Sequence, residues 1–206
     1  MTNAYHHGDL RQQAQHHALA VLHEHGDAAL SLRALAKQLG VTTPALYRHF
    51  RNRDSLLAAL ATDGFQRLRQ ALLAVPGGHP RDTLIGIGLA YIGFAQAHPN
   101  LYRLMFGGQR LPAGQHPELD AAGLAAFAVL EDATAAGQRS GYLGDTPLNT
   151  LTAAAWALVH GFAQLSIDGH LPPPEQAPHL ARAISALLID GTRAPASTQN
   201  NNSNNL

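Results

Sequence analysis

The chain has 206 residues, of which 46% are hydrophobic, so it can hold one large globular domain or a small domain and a larger one. It contains no cysteine, which excludes disulfides and thiolate metal sites. The formal net charge is zero, but residues 1–53 carry six Arg and Lys against three acids, whereas residues 54–206 carry eight against eleven. A basic head on an acidic body favours a partner that brings phosphate groups to the amino-terminal end.

The first residues, MTNAYHHGDLRQQ, lack the apolar region of a secretory signal. The sequence has no run of about 18 apolar residues, so it does not predict a membrane span. We therefore expect a cytoplasmic protein without a membrane partner. The histidines of the first helix do not converge on one point with carboxylates, so we also expect no metal site.

The first predicted helix runs from about Asp9 to His25 and ends at Gly26. Its apolar face is formed by Leu10, Ala14, Ala18, Val21 and Leu22. Residues 1–8 are expected to form a mobile arm. With His6 and His7, such an arm either contacts phosphates or is a solvated tail.

Residues 31–50 predict two short helices joined by a tight turn. Ser31 is the expected cap of the first helix, and Gly40 supplies the positive φ at its end. Thr43 is the expected cap of the second helix, with Pro44 at its first position. The predicted inward side chains are Leu32, Leu35, Ala36 and Leu39 of the first helix, and Ala45, Leu46 and Phe50 of the second. This is a helix-turn-helix, a unit whose second helix enters the DNA major groove.

The rest of the chain predicts helices only. They span about 53–75, 81–97, 100–107, 117–140, 147–168 and 178–192, separated by Pro- and Gly-rich breaks. Asn52 is the expected cap of the first of them. Leu124, Phe127 and Leu130 are expected to point inward from the fourth. The polar, low-complexity residues 194–206 are predicted to be disordered.

The helix predicted at 147–168 is apolar on two sides. One stripe contains Leu148, Leu151, Ala155, Leu158, Phe162 and Leu165, and the other contains Trp156, Val159, Ala163 and Ile167. A helix that is apolar on both sides needs a partner on both sides. We therefore predict a twofold dimer in which this helix and the last one form a four-helix bundle. The predicted interface residues are Leu151, Leu158, Phe162, Leu165, Leu180, Ile184, Leu187 and Leu188.

The segment GVTTPALYRHFRNRDSLL resembles the DNA-binding helix of the TetR/AcrR family of bacterial repressors and the residues that follow it. The resemblance is carried by Gly40-Val41, Ala45-Leu46-Tyr47, His49-Phe50, Arg53-Asp54 and Leu56-Leu57. In AAAWALVHG, Trp156 and His160-Gly161 resemble the W…HG signature of the WHG-type carboxy-terminal branch. The resemblance extends over nearly all of residues 5–192. It implies an all-α fold of about nine helices, with a three-helix helix-turn-helix DNA-binding domain at 1–52, an effector-binding and dimerisation domain at 53–193, and a tail at 194–206.

The resemblance also implies a homodimer on a double-stranded DNA operator. We expect Thr42, Thr43, Ala45 and Tyr47 to lie at bases or nearby phosphates. We expect Ser31, Arg33, Lys37, Arg48, His49 and Arg53 mainly to neutralise phosphates. The sequence departs from family members with Arg at position 43, so base reading is expected to depend on hydroxyls, methyl contacts and DNA shape.

A small-molecule effector is expected between the helices of the body. The candidate pocket residues are Tyr91, Phe94, Met105, Phe127, Trp156 and His160, although each also fits an ordinary core position. The chain has no G-x-S-x-G, no phosphate-binding glycine loop and no H-E-x-x-H, so we expect neither an enzyme nor a cofactor. The leading hypothesis is a repressor released by its effector. The alternatives are an activator, or a helical protein that binds a ligand or partner without inducer control.

Overall fold

A computed structural model describes residues 7–107, 111–171 and 177–193, in which every element longer than a single bridge is helical. The nine α-helices are α1 (His7–His25), α2 (Leu32–Gln38), α3 (Thr43–Tyr47), α4 (Arg53–Leu73), α5 (Pro80–Ala97), α6 (Pro99–Phe106), α7 (Pro117–Arg139), α8 (Leu148–Ile167) and α9 (Ala177–Gly191). A 3₁₀ turn at Asp27–Ala29, which the sequence analysis did not predict, precedes α2. The all-α fold class is confirmed. The predicted arm at 1–8 is too long by two residues, because α1 begins at His7 rather than at Asp9. Residues 1–6 of that arm and the predicted tail at 194–206 lie outside the described residues.

The amino-terminal head is built from α1, α2 and α3. Buried side chains of α1 pack with those of α2 and α3 in one core that includes Leu46 and Phe50. Arg11 of α1 adds a polar connection, since it donates to the His49 carbonyl at 3.2 Å. Its guanidinium carbon also lies 5.2 Å from the centre of the Phe50 ring. The first helix therefore holds the end of α3 in place by both apolar and cation–π contact.

The turn between α2 and α3 depends on Gly40, whose φ of 65° is the positive value that glycine adopts without strain. Thr42, rather than the predicted Thr43, is the residue that caps α3. Its extended backbone leaves its carbonyl to accept from the Ala45 amide at 3.0 Å. Neither Thr42 nor Ser31 makes a side-chain cap hydrogen bond. The predicted cap at Thr43 is therefore wrong by one residue.

The long helix α4 begins with a capping box. Asn52 Oδ1 accepts from the Ser55 amide at 2.8 Å, and Ser55 Oγ accepts from the Asn52 amide at 3.1 Å. The predicted cap at Asn52 is confirmed. From this fixed start, α4 runs out of the head and packs along α7 in the body. It also packs on α6, where Gly64 leaves room for Met105.

Helix α7 buries a different face from the one that we expected. Its buried stripe contains Leu119, Ala126 and Leu130, whereas Leu124 is 70% exposed. Leu124 lies about 140° around the helix from Leu119, as five steps of 100° require. The expectation that Leu124 points into the core is therefore wrong, because α4 takes the Leu119–Leu130 side.

Helix α8 packs on α5, α7 and α9 through one side only. By length and a mean hydropathy of 1.2 it is the one helix of the described residues that meets the requirements for crossing a membrane, and 28% of its most apolar stretch is buried. The sequence analysis did not expect such a helix. A core helix of a helical protein meets the same requirements, so this property is weak evidence for a membrane span.

Candidate DNA-binding surface and ligand cavity

Helix α3 presents a short polar face to solvent. Leu46 is completely buried and anchors the helix in the head, whereas Thr42, Tyr47 and Arg48 are exposed, with Tyr47 at 47%. The predicted residues Thr43 and Ala45 are half-buried on the same short helix. A helix held by one apolar face with polar groups on the other is suited to lying against the edges of bases.

The residues that we assigned to phosphate contact flank this face. Ser31, Arg33 and Lys37 are exposed along α2, and His49 is half-buried after α3. The structure adds two exposed neighbours that the sequence analysis omitted, Gln38 and Arg51. Their polarity alone did not single them out, because exposed polar residues occur throughout the chain.

Arg53 differs from the expectation, because its guanidinium is used inside the protein. Its Nε donates to the Leu30 carbonyl at 3.0 Å, and a terminal nitrogen donates to the Asp27 carbonyl. The same nitrogen lies 3.5 Å from the Asp27 carboxylate. These contacts join the first residue of α4 to the 3₁₀ turn of the head. Arg53 is therefore a clamp between the two parts of the chain, with part of its side chain still exposed to solvent.

The described part of the body contains a large apolar cavity of about 390 Å³, a size typical of small-molecule sites. It lies among α4, α5, α7, α8 and α9, with Phe106 of α6 also in its wall. None of its lining residues carries a charge. The side chains that line it include Phe65, Leu68, Leu72, Leu84, Ile87, Tyr91, Phe106, Leu124, Phe127, Leu130, Trp156, Leu158, Val159, Ser185, Leu188 and Ile189.

Three of the six predicted pocket residues line this cavity, and three do not. Tyr91, Phe127 and Trp156 are in the wall. Phe94 and Met105 are buried in the core instead. His160, one helical turn after Trp156, lies behind the wall. The pocket was predicted between the fifth and eighth helices, whereas α4 and α9 also form its wall. Spacing within a helix does not show where neighbouring helices separate.

His160 belongs to a buried polar cluster with two tyrosines. Its Nδ1 lies 2.7 Å from the Tyr102 hydroxyl and 2.9 Å from the Tyr91 hydroxyl, and the two hydroxyls lie 3.1 Å apart. Burial raises the pKa of both tyrosines and lowers the pKa of His160, so the cluster is uncharged at neutral pH. The Tyr91 hydroxyl is thereby engaged by this cluster, although its ring forms part of the cavity wall.

Ser185 is a polar cavity residue that was not among the six predicted pocket positions. It is 4% exposed, and its hydroxyl has no hydrogen-bond partner within the described part of the chain. The sequence does not indicate that a serine in an apolar helical stripe lacks a hydrogen-bond partner, because a serine in a helix usually donates to a carbonyl of its own helix. Only the packing of α9 against α5 reveals the unused hydroxyl.

The cavity is connected to the head through α4. Phe65, Leu68 and Leu72 of α4 form part of the wall, and Arg53 at the start of the same helix holds the 3₁₀ turn. A second connection runs through α6, where the Asn100 side chain donates to the His23 carbonyl of α1 at 3.0 Å. Both α4 and α6 therefore connect the cavity wall to the head.

Comparisons with known proteins place this architecture in a family. A family model described as bacterial regulatory proteins of the tetR family matches residues 16–60, and one described as a tetracyclin repressor-like carboxy-terminal domain matches residues 84–188. The chain is 33% identical to a protein of unknown function from Rhodococcus sp. RHA1. Their structures superpose with a TM-score of 0.83, covering 93% of this chain and 99% of that one.

Two curated relatives agree with these matches. The HTH-type transcriptional regulator Rv1816 of Mycobacterium tuberculosis is 34% identical over 124 residues, which are 57% of this chain and 53% of that protein. The match thus spans about half the length of the curated relative. The tetracycline repressor protein class A from transposon 1721 of Escherichia coli is 57% identical over 44 residues, 21% of this chain and 20% of its own length. With both the head and the body matched, the chain belongs to the TetR family of bacterial transcriptional regulators.

Proposed function

We propose that this protein is a homodimeric repressor that binds a near-palindromic DNA operator and leaves it when a small molecule enters the cavity. The observation that carries the proposal is the double role of α4, which forms one wall of the cavity and clamps the head through Arg53. On this proposal residues 1–52 read DNA, residues 53–193 bind the effector and dimerise, and the protein acts in the cytoplasm.

In the proposed complex, α3 lies in the major groove. Tyr47 and Thr42 meet base edges or nearby phosphates, while Thr43 and Ala45 supply methyl contacts close to the helix axis. Without an Arg or Asn in the first turn of α3, sequence choice depends on thymine methyls and DNA shape as well as on hydrogen bonds. In a twofold dimer, the two α3 helices meet half-sites about 34 Å or a multiple of it apart.

The affinity for DNA is proposed to come mainly from phosphate contacts. Arg33, Lys37 and Arg48 are exposed next to α3, and Ser31 and His49 complete the set. Each neutralised phosphate releases counterions, so binding weakens steeply as salt increases. We leave Arg53 out of this set because the Leu30 and Asp27 carbonyls already accept its hydrogen bonds.

The proposed dimer forms through the outer faces of α8 and α9. Leu165 of α8 is 46% exposed and Leu187 of α9 is 76% exposed, and small alanines lie exposed on both helices. Exposed apolar faces of this kind are typical of subunit interfaces. Leu151 and Phe162 were also predicted at the interface, but we leave them out of the proposed one because both are buried in the core of their own chain. Leu158, Leu180, Ile184 and Leu188 are half-buried, and Leu158 and Leu188 also line the cavity.

Release follows if ligand and operator favour different positions of α4. A ligand that presses on Phe65 and Leu72 shifts α4 along α7, and the Arg53 clamp transmits that shift to the head. The two α3 helices then no longer match successive major grooves. By linkage, the ligand weakens operator binding by the same factor as the operator weakens ligand binding.

The proposal is tested by fluorescence anisotropy on duplexes from the DNA flanking the coding region, at two salt concentrations, against a scrambled duplex. We expect tight, salt-dependent binding to one flanking duplex. Tyr47→Ala should abolish the preference for that duplex while the protein stays dimeric. Leu73→Ala, which removes another half-exposed apolar side chain outside the head, is the matched control. Equal binding of wild type and Tyr47→Ala would contradict the assigned surface.

The same assay separates release from the other modes of action. Neutral aromatic compounds titrated into the operator complex should lower the anisotropy. A compound that binds the protein but leaves the complex intact would argue against inducer-controlled release. Transcription from the flanking promoter, measured with and without the protein, then distinguishes a repressor from an activator.

A further inference from the structure

The wall of the cavity limits the charge of its ligand. It contains aromatic and aliphatic side chains, with no acidic or basic residue among the lining positions that the structure describes. A charged ligand would lose its hydration there without gaining an opposite charge or a set of donors. The wall therefore selects against carboxylates, phosphates and ammonium groups.

One polar side chain of this wall has no hydrogen-bond partner among the described residues. Ser185 Oγ is buried and makes no hydrogen bond with the described residues. Other buried or half-buried hydroxyls in these helices behave differently. Thr62, Thr134 and Thr152 each donate to the carbonyl four residues earlier, at 2.8 to 2.9 Å. The Ser185 hydroxyl is thus an orphan donor, which is costly unless something in the cavity accepts its hydrogen bond.

Helix α5 approaches this hydroxyl closely at a glycine. Gly88 of α5 lies opposite Ser185, and a Cβ at that position would come within 3.2 Å of Ser185 Oγ and of a Val159 methyl. Glycine at 88 therefore leaves room for the Ser185 side chain in the cavity wall, where the hydroxyl is fully buried and meets a ligand by rotation about its Cα–Cβ bond. Entry is available between α7 and α8, because Leu124 and Trp156 both line the cavity and are exposed to solvent.

From these observations we infer that the cavity binds an uncharged, largely apolar molecule that accepts one hydrogen bond from the Ser185 hydroxyl. An aromatic ketone has this chemistry. The inference rests on the proposed function for its regulatory meaning, since it specifies the class of molecule that acts as effector. The binding event itself is measurable without DNA.

The test uses three probes of nearly equal shape: diphenylmethane, benzophenone and diphenylacetate. They present no acceptor, one neutral acceptor and a charged carboxylate, respectively. Equilibrium dialysis against the full-length protein gives a Kd for each, and the single tryptophan, Trp156 in the cavity wall, gives an independent fluorescence signal. We expect benzophenone to bind about five- to tenfold more tightly than diphenylmethane, as one net hydrogen bond allows. Diphenylacetate should bind most weakly.

Ser185→Ala separates the hydroxyl from the shape of the cavity. We expect it to weaken benzophenone binding to the level of diphenylmethane and to leave diphenylmethane unchanged. The matched control is Thr134→Val, which removes a buried hydroxyl outside the cavity wall and should leave the preference for the ketone intact. Gly123→Leu should abolish binding of both neutral probes, because position 123 lines the cavity and a Cβ there meets only the Phe65 ring at 3.8 Å.

Three results would overturn the inference: equal binding of ketone and hydrocarbon by the wild type, a ketone preference that survives in Ser185→Ala, or no binding of either neutral probe. The operator assay is independent of all three. A Ser185-dependent ketone preference without operator binding would support the ligand class and reject the proposed function. Operator binding without a ketone preference would support DNA binding by the proposed regulator and reject the ligand class.

Discussion

The clamp formed by Arg53 makes a prediction about stability that a residue bound only to phosphate would not make. In Arg53→Met the side chain keeps an apolar stem but loses every donor. The Leu30 and Asp27 carbonyls then lose the hydrogen bonds that join α4 to the head. The Leu30 side chain is itself buried, so its carbonyl lies at the edge of the core.

The size of the effect follows from the number and exposure of these bonds. A hydrogen bond to a charged group contributes about 1.5–3 kcal/mol when it is well shielded. The Arg53 side chain is 36% exposed, so water can replace part of the hydrogen bonding that the two carbonyls lose in the mutant. We expect the free energy of unfolding to fall by about 1–2 kcal/mol. For a chain of this size, that corresponds to a decrease in Tm of about 2–8 °C.

Urea unfolding followed by circular dichroism measures this change, at one protein concentration because the proposed dimer makes stability concentration-dependent. The matched control is Arg51→Met, which removes an exposed arginine two residues earlier and should change the free energy by less than about 0.5 kcal/mol. If Arg53→Met unfolds like the wild type while the salt dependence of DNA binding decreases, Arg53 acts on phosphate and the clamp is wrong.

Three further predictions concern the body. Leu187→Glu should give monomers in sedimentation velocity where the wild type forms the proposed dimer, because it places a charge on the proposed interface. A mutant that remains dimeric would move the interface elsewhere. Gly64→Ala should lower the free energy of unfolding, measured by urea titration, by about 1–3 kcal/mol. The reason is that the alanine Cβ would lie 2.6 Å from Met105 Sδ. An unchanged urea midpoint would show that Met105 moves aside without cost. Burial lowers the pKa of His160, so the folded protein takes up this proton less readily than the unfolded chain. The stability that depends on neutral His160 is therefore present above about pH 6.5 and is lost as the pH falls further. The urea midpoint of His160→Gln should decline less than that of the wild type between about pH 7.5 and 5, and parallel declines would contradict the assignment.

The sequence by itself determined the local structure and the family. Helix starts followed from single residues, such as the cap at Asn52 for α4 and Pro117 for α7. The tight turn followed from Gly40, whose positive φ is a property of that residue type. These features depend on neighbours only a few residues away, and the helix-turn-helix motif is a continuous segment. Both are therefore readable without a tertiary structure.

Only the tertiary structure decided which side of each helix is used. Periodicity shows that α7 and α8 have apolar faces, but the packing of α4 and α5 against them decides that Leu124 is exposed and Leu151 is buried. The Arg53 clamp joins residues 26 positions apart, and the cavity exists because helices distant in sequence separate around Ser185. Such features depend on the relative positions of several helices, and helical spacing within one segment carries no information about them.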